Sequence, residues 1–174
     1  RGRSSAARGR TARGVGRGMH DLAAARSLYL ASAEVTRSEF AEFIADQLEA
    51  TPLPGLIALE WVPYVPGEQR TAYEQAAQAD GLAGFTFTER NSAGEAVRAG
   101  QRPAYYPVYY VAPQNGQEYA FGFDLGSDET RLAAMQQARN SGRPVIAGAA
   151  PLMRSSAQGA LIFLPIYDND VDLA

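Results

Sequence analysis

Four carboxylates and one histidine are the first side chains to consider for chemistry in this 174-residue sequence. Asp124 and Asp128 flank a predicted turn, and paired carboxylates could support glycoside or metal chemistry. Glu60 and Glu89 lie near the ends of predicted strands. Asp128 is better explained as an acid at a helix start, and Asp124 as a cap of its own turn. The only histidine, His20, lies on a predicted N-terminal helix, which disfavours a Ser–His–Asp arrangement.

Several types of site are excluded by composition. The sequence has no cysteine, so it has no thiol nucleophile, disulfide framework or cysteine zinc site. The glycines of residues 122–126 lack the lysine and the spacing of a phosphate-binding loop. His20 has no companions at metal-ligand spacing. We therefore expect no enzyme activity, no metal and no cofactor, and we look for a binding surface instead.

A predicted β-hairpin supplies that surface. Two aromatic, β-rich runs, residues 105–111 and 118–125, flank Asn115-Gly116, the dipeptide that most favours a type I′ turn. A two-residue loop there predicts four facing pairs: Gln114 with Gln117, Tyr110 with Phe121, Val108 with Phe123, and Tyr106 with Leu125.

One face of this hairpin is apolar and the other is mixed, because side chains alternate along a strand. The mixed face carries Tyr105, Tyr109, Val111, Ala120, Gly122 and Asp124. Aromatic rings around a glycine gap, with a carboxylate nearby, could line a small-molecule pocket. Equally, Tyr109 could simply cover Gly122 across the strands. The sequence leaves both interpretations open.

Helices are predicted from their boundary residues. The segment Thr36–Glu39 is a capping box. Ser127 is a good N-cap for a helix that ends at Gly142. Residues 68–79 form a further helix, with three residues predicted to point inward: Tyr73, Ala76 and Ala77.

Further strands are predicted at residues 57–65, 85–89, 144–151 and 160–167, whereas residues 91–100 are polar and predict a loop. Together with the hairpin this makes about six strands and three or four helices. Sequential antiparallel strands with helices on one side indicate the α+β class.

Charge divides the chain unevenly. Residues 1–18 hold six arginines and no acid, whereas the remainder holds ten arginines against 19 acids. The first segment has no aromatic residue to stack on bases, so we interpret it as a weakly ordered flank rather than a nucleic-acid-binding arm. The acidic remainder disfavours nucleic acid as a partner.

Six segments between Ala31 and Tyr167 then form a pattern: Glu34–Phe40 (EVTRSEF), Pro54–Pro63 (PGLIALEWVP), Phe85–Arg90 (FTFTER), Tyr106–Val108 (YPV), Gly122–Val145 and Leu161–Tyr167 (LIFLPIY). Each is short, but in this order they resemble the CHASE domain family. Members of that family are extracytoplasmic sensory modules of bacterial and plant receptors.

The resemblance implies a PAS-like antiparallel sheet flanked by helices, preceded by a long N-terminal helix. Residues 1–18 are then the flank, residues 19–50 a helical stalk, and residues 51–174 a sensor lobe without the family's second lobe. The implied setting is the periplasmic part of an inner-membrane protein, with membrane segments flanking this chain. The implied function is ligand binding that changes the stalk helix and controls a cytoplasmic diguanylate cyclase or histidine kinase.

Seven residues are predicted to contact the ligand, an unknown small molecule: Arg102, Tyr105, Tyr109, Gly122, Asp124, Gly126 and Ala147. Asp124 would accept hydrogen bonds from a ligand donor, and Arg102 at the mouth would bind an anionic group. We also expect a homodimer through the N-terminal helix. The alternative is a dimerisation or scaffold module that needs no ligand.

Overall fold

The structure is a computed structural model that describes residues 22–32, 34–50, 52, 56–113, 120–151 and 158–167. Three sequence-based predictions concern residues outside these ranges: the Arg-rich flank 1–18, His20 and the Asn115-Gly116 turn.

The described residues form four α-helices and eight short strands. The helices are α1 (residues 22–31), α2 (Arg37–Ala50), α3 (Arg70–Ala79) and α4 (Glu129–Ser141). The strands are β1 (Leu59–Trp61), β2 (Val65–Pro66), β3 (Thr88–Arg90), β4 (Ala96–Arg98), β5 (Ala104–Tyr105), β6 (Tyr110–Ala112), β7 (Val145–Pro151) and β8 (Gln158–Phe163). Short 3₁₀ helices occupy Gly67–Gln69 and Leu125–Ser127.

All four strand pairs are antiparallel: β1 with β6, β2 with β5, β3 with β4, and β7 with β8. This mixture of helices and antiparallel pairs confirms the α+β class. The PAS-like arrangement of one larger sheet stays a prediction. The strand β4 corrects the sequence analysis, because residues 91–100 were predicted as loop and instead return to pair with β3.

Two helices stand where one long N-terminal helix was predicted. The chain leaves helical geometry after residue 31, and α2 begins at Arg37. The predicted capping box is confirmed, because Thr36 N donates to the Glu39 carboxylate over 2.8 Å and Glu39 N donates to Thr36 Oγ1 over 3.3 Å. Thr36 N and Thr36 Oγ1 both donate to the Glu39 carboxylate, and these two hydrogen bonds hold the pKa of Glu39 below its usual value.

Both N-terminal helices pack on the pair β1–β6. Ala25 of α1, Phe40 and Ile44 of α2, and Leu59 and Ala112 of the sheet are buried in one cluster. The Tyr29 ring of α1 stacks on Trp61 of β1, with centroids 3.9 Å apart and planes 19° apart. In the described residues, the helices predicted as a stalk are therefore covered by the sheet along one side.

The hairpin register is confirmed near its open end and wrong closer to the turn. Pro107 bridges Asp124, which is the register that places Val108 opposite Phe123. Tyr110 was predicted opposite Phe121, and the strand pair that the structure gives it is with Trp61 of β1. The second run leaves the extended conformation here, because residues 120–122 form a turn with Gly122 at φ = 76°.

Helix α4 begins one residue later than predicted. Its N-cap is Asp128 rather than Ser127, and the Asp128 carboxylate accepts a hydrogen bond of 2.9 Å from Arg131 N. Ser127 ends the preceding 3₁₀ helix, and its hydroxyl donates to Asp124 O over 2.7 Å. The predicted end is confirmed, because Gly142 takes the left-handed conformation at φ = 66°.

The Asp128 cap leads to a stability prediction. Asp128→Ala removes the acceptor of an otherwise unpaired helix amide, so we expect the free energy of unfolding to fall by about 1 kcal/mol. Urea denaturation followed by circular dichroism measures this. Thr130→Ala, an exposed substitution in the same turn, is the control and should change stability by less than about 0.5 kcal/mol. Equal losses in both variants would contradict the cap.

Candidate functional site

Asp124 lies at the centre of the predicted binding residues and is fully buried, with 0 % of its surface exposed. Its Oδ1 accepts hydrogen bonds from Tyr106 N over 2.8 Å and from Gly126 N over 3.0 Å. Its Oδ2 accepts from Arg102 Nη1 over 2.9 Å. The bond to Gly126 N makes Asp124 the cap of the 3₁₀ helix Leu125–Ser127, so the predicted capping of its own turn is confirmed.

Arg102 joins two carboxylates. Its Nη1 binds Asp124 and its Nη2 binds Glu89, so one cation stands between two anions. The pKa of Asp124 is raised, mainly by burial. Three partners lower it part of the way back: the Tyr106 amide, the Arg102 guanidinium and the Gly126 amide. The negative charge of Glu89 raises it further. Removal of Arg102 from this group would leave a buried carboxylate without its counter-ion.

The Tyr105 ring lies close to two guanidinium groups. Its ring centroid lies 5.1 Å from Arg70 Cζ and 5.7 Å from Arg102 Cζ, within the range of cation–π attraction. Its hydroxyl donates to Gly100 O over 2.8 Å and accepts from Arg102 N over 3.1 Å. Tyr105 therefore fixes the loop that carries Arg102.

A second charged cluster lies behind Tyr105, and the sequence analysis missed it. Glu74 of α3 is buried, and its Oε1 accepts from Arg70 Nε over 2.8 Å, Thr86 Oγ1 over 2.9 Å and Phe87 N over 2.9 Å. Its Oε2 accepts from Arg98 over 3.2 Å. Burial alone would raise the pKa of Glu74, but these partners outweigh it and hold the pKa below the usual range.

A local signal for this cluster exists. Arg70 and Glu74 are four residues apart, the spacing of facing side chains on a helix. That spacing is common on solvated helix faces, so it does not by itself indicate burial. Ala76, predicted inward, is exposed, because the buried face of α3 instead carries Glu74 and Ala77.

Tyr109 and Gly122 share one aromatic neighbour, Phe85. The Tyr109 ring meets Phe85 edge-on at 5.5 Å, and its hydroxyl donates to Tyr73 O over 3.0 Å. Burial raises the pKa of Tyr109 to about 12. A side-chain carbon on Gly122 would lie 2.2 Å from Thr86 O and 3.7 Å from the Phe85 ring. The atoms nearest to this position belong to Thr86 and Phe85. Gly122 is therefore covered most closely by Thr86 and not by Tyr109, as one interpretation of the sequence had predicted.

The remaining predicted residues fall in two places. Gly126 belongs with Asp124, and a side chain on it would meet the Tyr106 ring at 2.7 Å. Ala147 lies on β7, buried and paired with Leu161 of β8. The structure thus brings Arg102, Tyr105, Asp124 and Gly126 together, places Tyr109 and Gly122 on either side of Phe85, and puts Ala147 on a separate hairpin.

The members of the candidate group are held by contacts with one another. The polar atoms of the group bind one another, and the described residues contain no cluster of three or more metal-binding side chains. A family model described as the CHASE domain matches residues 33–173. The chain belongs to the CHASE domain family. CHASE domains are extracellular, non-catalytic sensory domains of receptors, so the expected fragment without enzyme activity is consistent with its family.

Two further findings bear on this CHASE domain. No curated protein matches the chain. Among the helices that the structure describes, none is both long and apolar enough to cross a bilayer.

Proposed function

We propose that this CHASE domain is the extracytoplasmic ligand-binding input domain of a membrane-bound receptor. A small molecule binds at the group formed by Arg102, Tyr105, Asp124 and Gly126, with Tyr109, Gly122 and Ala147 around it. Binding changes the position of the N-terminal helices. That change controls a cytoplasmic output domain, either a diguanylate cyclase or a histidine kinase.

One observation carries this proposal: a single short segment, residues 104–112, touches both the candidate site and the N-terminal helices. Tyr105 lies against Arg102 at the start of the segment. Tyr110 and Ala112, at its end, belong to the cluster of α1 and α2, and the Phe40 ring of α2 lies 5.9 Å from the Tyr110 ring. A displacement of this segment at the site would therefore also move Tyr110 against Phe40 of α2.

The charges of the site suggest how a ligand would cause such a shift. Asp124 is fully buried and its Oδ2 is bound by Arg102, so a ligand donor would bind this oxygen in exchange for the guanidinium. Arg102 can move without losing its charge partner, because Glu89 also binds it. The bound state would then lack the Arg102–Asp124 ion pair that the free state has. A ligand can shift a conformational equilibrium only through such a difference in interactions between the two states.

The same proposal includes self-association and membrane attachment. We propose that two copies pair through the N-terminal helices, and that flanking segments attach the domain to the membrane. Leu30 of α1 supports the pairing, because this large apolar side chain is 44 % exposed.

A thermal-shift screen against purines, organic acids and amino acids tests ligand binding. A ligand at 100 times its dissociation constant adds about 2.7 kcal/mol, which corresponds to roughly 5–10 °C at this chain length. Asp124→Asn keeps an oxygen for the Tyr106 and Gly126 amides but removes the charge, so we expect it to abolish the shift. Tyr109→Phe should reduce it.

The matched control is Asp128→Asn, which removes an exposed carboxylate four residues away and preserves a capping side chain. It should retain the full ligand shift. A cooperative melt with no shift across the panel would contradict ligand binding and favour the dimerisation or scaffold module. A shift equal in the Asp124→Asn and wild-type proteins would contradict the site.

A further inference from the structure

An open groove of about 390 Å³ lies between the start of α2 and the turn that follows α3. The side chains that line it include Arg37, Leu82, Phe85, Thr86, Thr88 and Phe121. Its volume is within the range of small-molecule sites, and its lining is about equally polar and apolar.

Glycines in the turn keep the groove open on one side. Gly81 and Gly84 both take positive φ, at 91° and 73°, where other residues are strained. A side-chain carbon on Gly81 would lie 3.7 Å from Arg37 Nη2, so the guanidinium rests against bare backbone. No heavy atom lies within 4 Å of the corresponding position on Gly84.

Arg37 is the only charged residue among those that line this groove. Asp80 binds one edge of its guanidinium, with Nε donating to Oδ2 over 2.6 Å and Nη2 donating to the Asp80 carbonyl. The Nη1 group has no partner among the described residues, and 27 % of the side chain is exposed. A guanidinium carries five donors, so Asp80 leaves the outer edge able to bind another acceptor.

We infer that this groove binds a small carboxylate with an aromatic body. The carboxylate accepts hydrogen bonds from the Nη1 and Nη2 edge of Arg37, the geometry that favours bidentate binding. The aromatic body contacts Phe121 and Leu82. The groove shares no lining residue with the group of Arg102, Tyr105, Asp124 and Gly126, although Phe85 and Thr86 in its wall also contact Gly122. Binding here does not depend on the proposed sensory function.

Occupancy of the groove would connect two elements that are distant in sequence. Arg37 is the first residue of α2, and Asp80 follows the last residue of α3. A ligand held by Arg37 and the 82–86 turn therefore joins the start of α2 to the end of α3. If the proposed sensory function holds, this is a second input to the same N-terminal helices.

Calorimetric titration of the 174-residue chain with benzoate, benzamide and benzylamine tests the inference. These probes share one ring and differ in charge. We expect benzoate to bind with a dissociation constant on the order of 1 mM, and benzamide and benzylamine to bind at least tenfold more weakly. Equal binding of all three probes would overturn the inference. So would the absence of benzoate binding at about 20 mM, roughly 20 times the expected dissociation constant.

Two variants that break the same ion pair locate the contact. Arg37→Gln should weaken benzoate binding at least tenfold. Asp80→Asn should leave it as tight as in the wild-type protein or tighter, because a competing negative charge is removed. Equal weakening by both variants would assign the effect to the ion pair and overturn the site. Asp128→Asn, which removes an exposed carboxylate, should leave benzoate binding unchanged. The titration contains no ligand of the proposed sensory site, so a failure of the proposed function leaves this result standing.

Discussion

Glu74→Ala is expected to lower the free energy of unfolding by about 3–5 kcal/mol, the range for removal of one partner from a buried ion pair. The Glu74 side chain is 8 % exposed and that of Arg70 is 11 % exposed, so the substitution leaves a cation in the core. It also removes the acceptor of Thr86 Oγ1 and Phe87 N. Urea denaturation at pH 7 with circular dichroism detection measures the loss.

Two variants separate the charge of Glu74 from its shape. Glu74→Gln keeps one acceptor oxygen and should lose less than Glu74→Ala. Glu68→Ala removes an exposed carboxylate one and a half turns earlier and should change stability by less than about 0.5 kcal/mol. A loss below about 1 kcal/mol for Glu74→Ala would show that Arg70 finds another partner.

The pH dependence of the same variants has a defined sign. The pKa of Glu74 is lower in the folded state, so its charge stabilises the fold fully above the unfolded-state pKa of about 4.3. That stabilisation is lost as the pH falls through the lower folded-state pKa. The difference in unfolding free energy between wild type and Glu74→Gln should therefore be constant above about pH 5 and shrink below about pH 4.

Gly122→Ala is the second substitution with a large expected effect, a loss of about 2–5 kcal/mol. A non-glycine residue at φ = 76° costs about 1–2 kcal/mol, and forcing an extra carbon into packed structure typically adds about 1–3 kcal/mol. The carbon would lie 2.2 Å from Thr86 O. The two segments cannot separate freely, because Thr88 N donates to Gly122 O over 2.9 Å.

Gly94→Ala isolates the conformational part of that loss. Gly94 has nearly the same φ, 80°, but nothing lies within 4 Å of its missing side chain. It should therefore lose only the strain, about 1–2 kcal/mol. The difference between the two variants, measured by thermal or urea denaturation, reports the contact with Thr86. Identical losses would mean that the Thr86 segment moves away without cost.

Features encoded within a few residues were predictable from the sequence. The capping box at Thr36 and the end of α4 at Gly142 depend on neighbours within one helical turn, and both are confirmed. The N-cap of α4 was ambiguous, because Ser127 and Asp128 both cap well. The structure decides between them through Asp124, whose carbonyl binds the Ser127 hydroxyl and leaves Asp128 to cap the helix.

The candidate site depended on contacts between distant segments and was predictable only in part. The register at Pro107 and Asp124 follows from the two-residue loop predicted at Asn115-Gly116, and it correctly brings Asp124 near Tyr106. The ion pairs of Arg102 with Asp124 and Glu89 do not follow from that register, because they span 22 and 13 residues. Burial of Glu74 likewise depends on Thr86 and Phe87, which no pattern within α3 can indicate.

The stack of Tyr29 on Trp61 allows the packing of α1 on the sheet to be followed by tryptophan fluorescence, without an added label. Trp61 is the only tryptophan of the chain, so selective excitation of indole reports from this one contact. When α1 leaves the sheet, the indole exchanges a tyrosine face for water, and its emission moves to longer wavelength. The protein thus carries an intrinsic optical reporter at the junction between its N-terminal helices and the strand that leads to the candidate site.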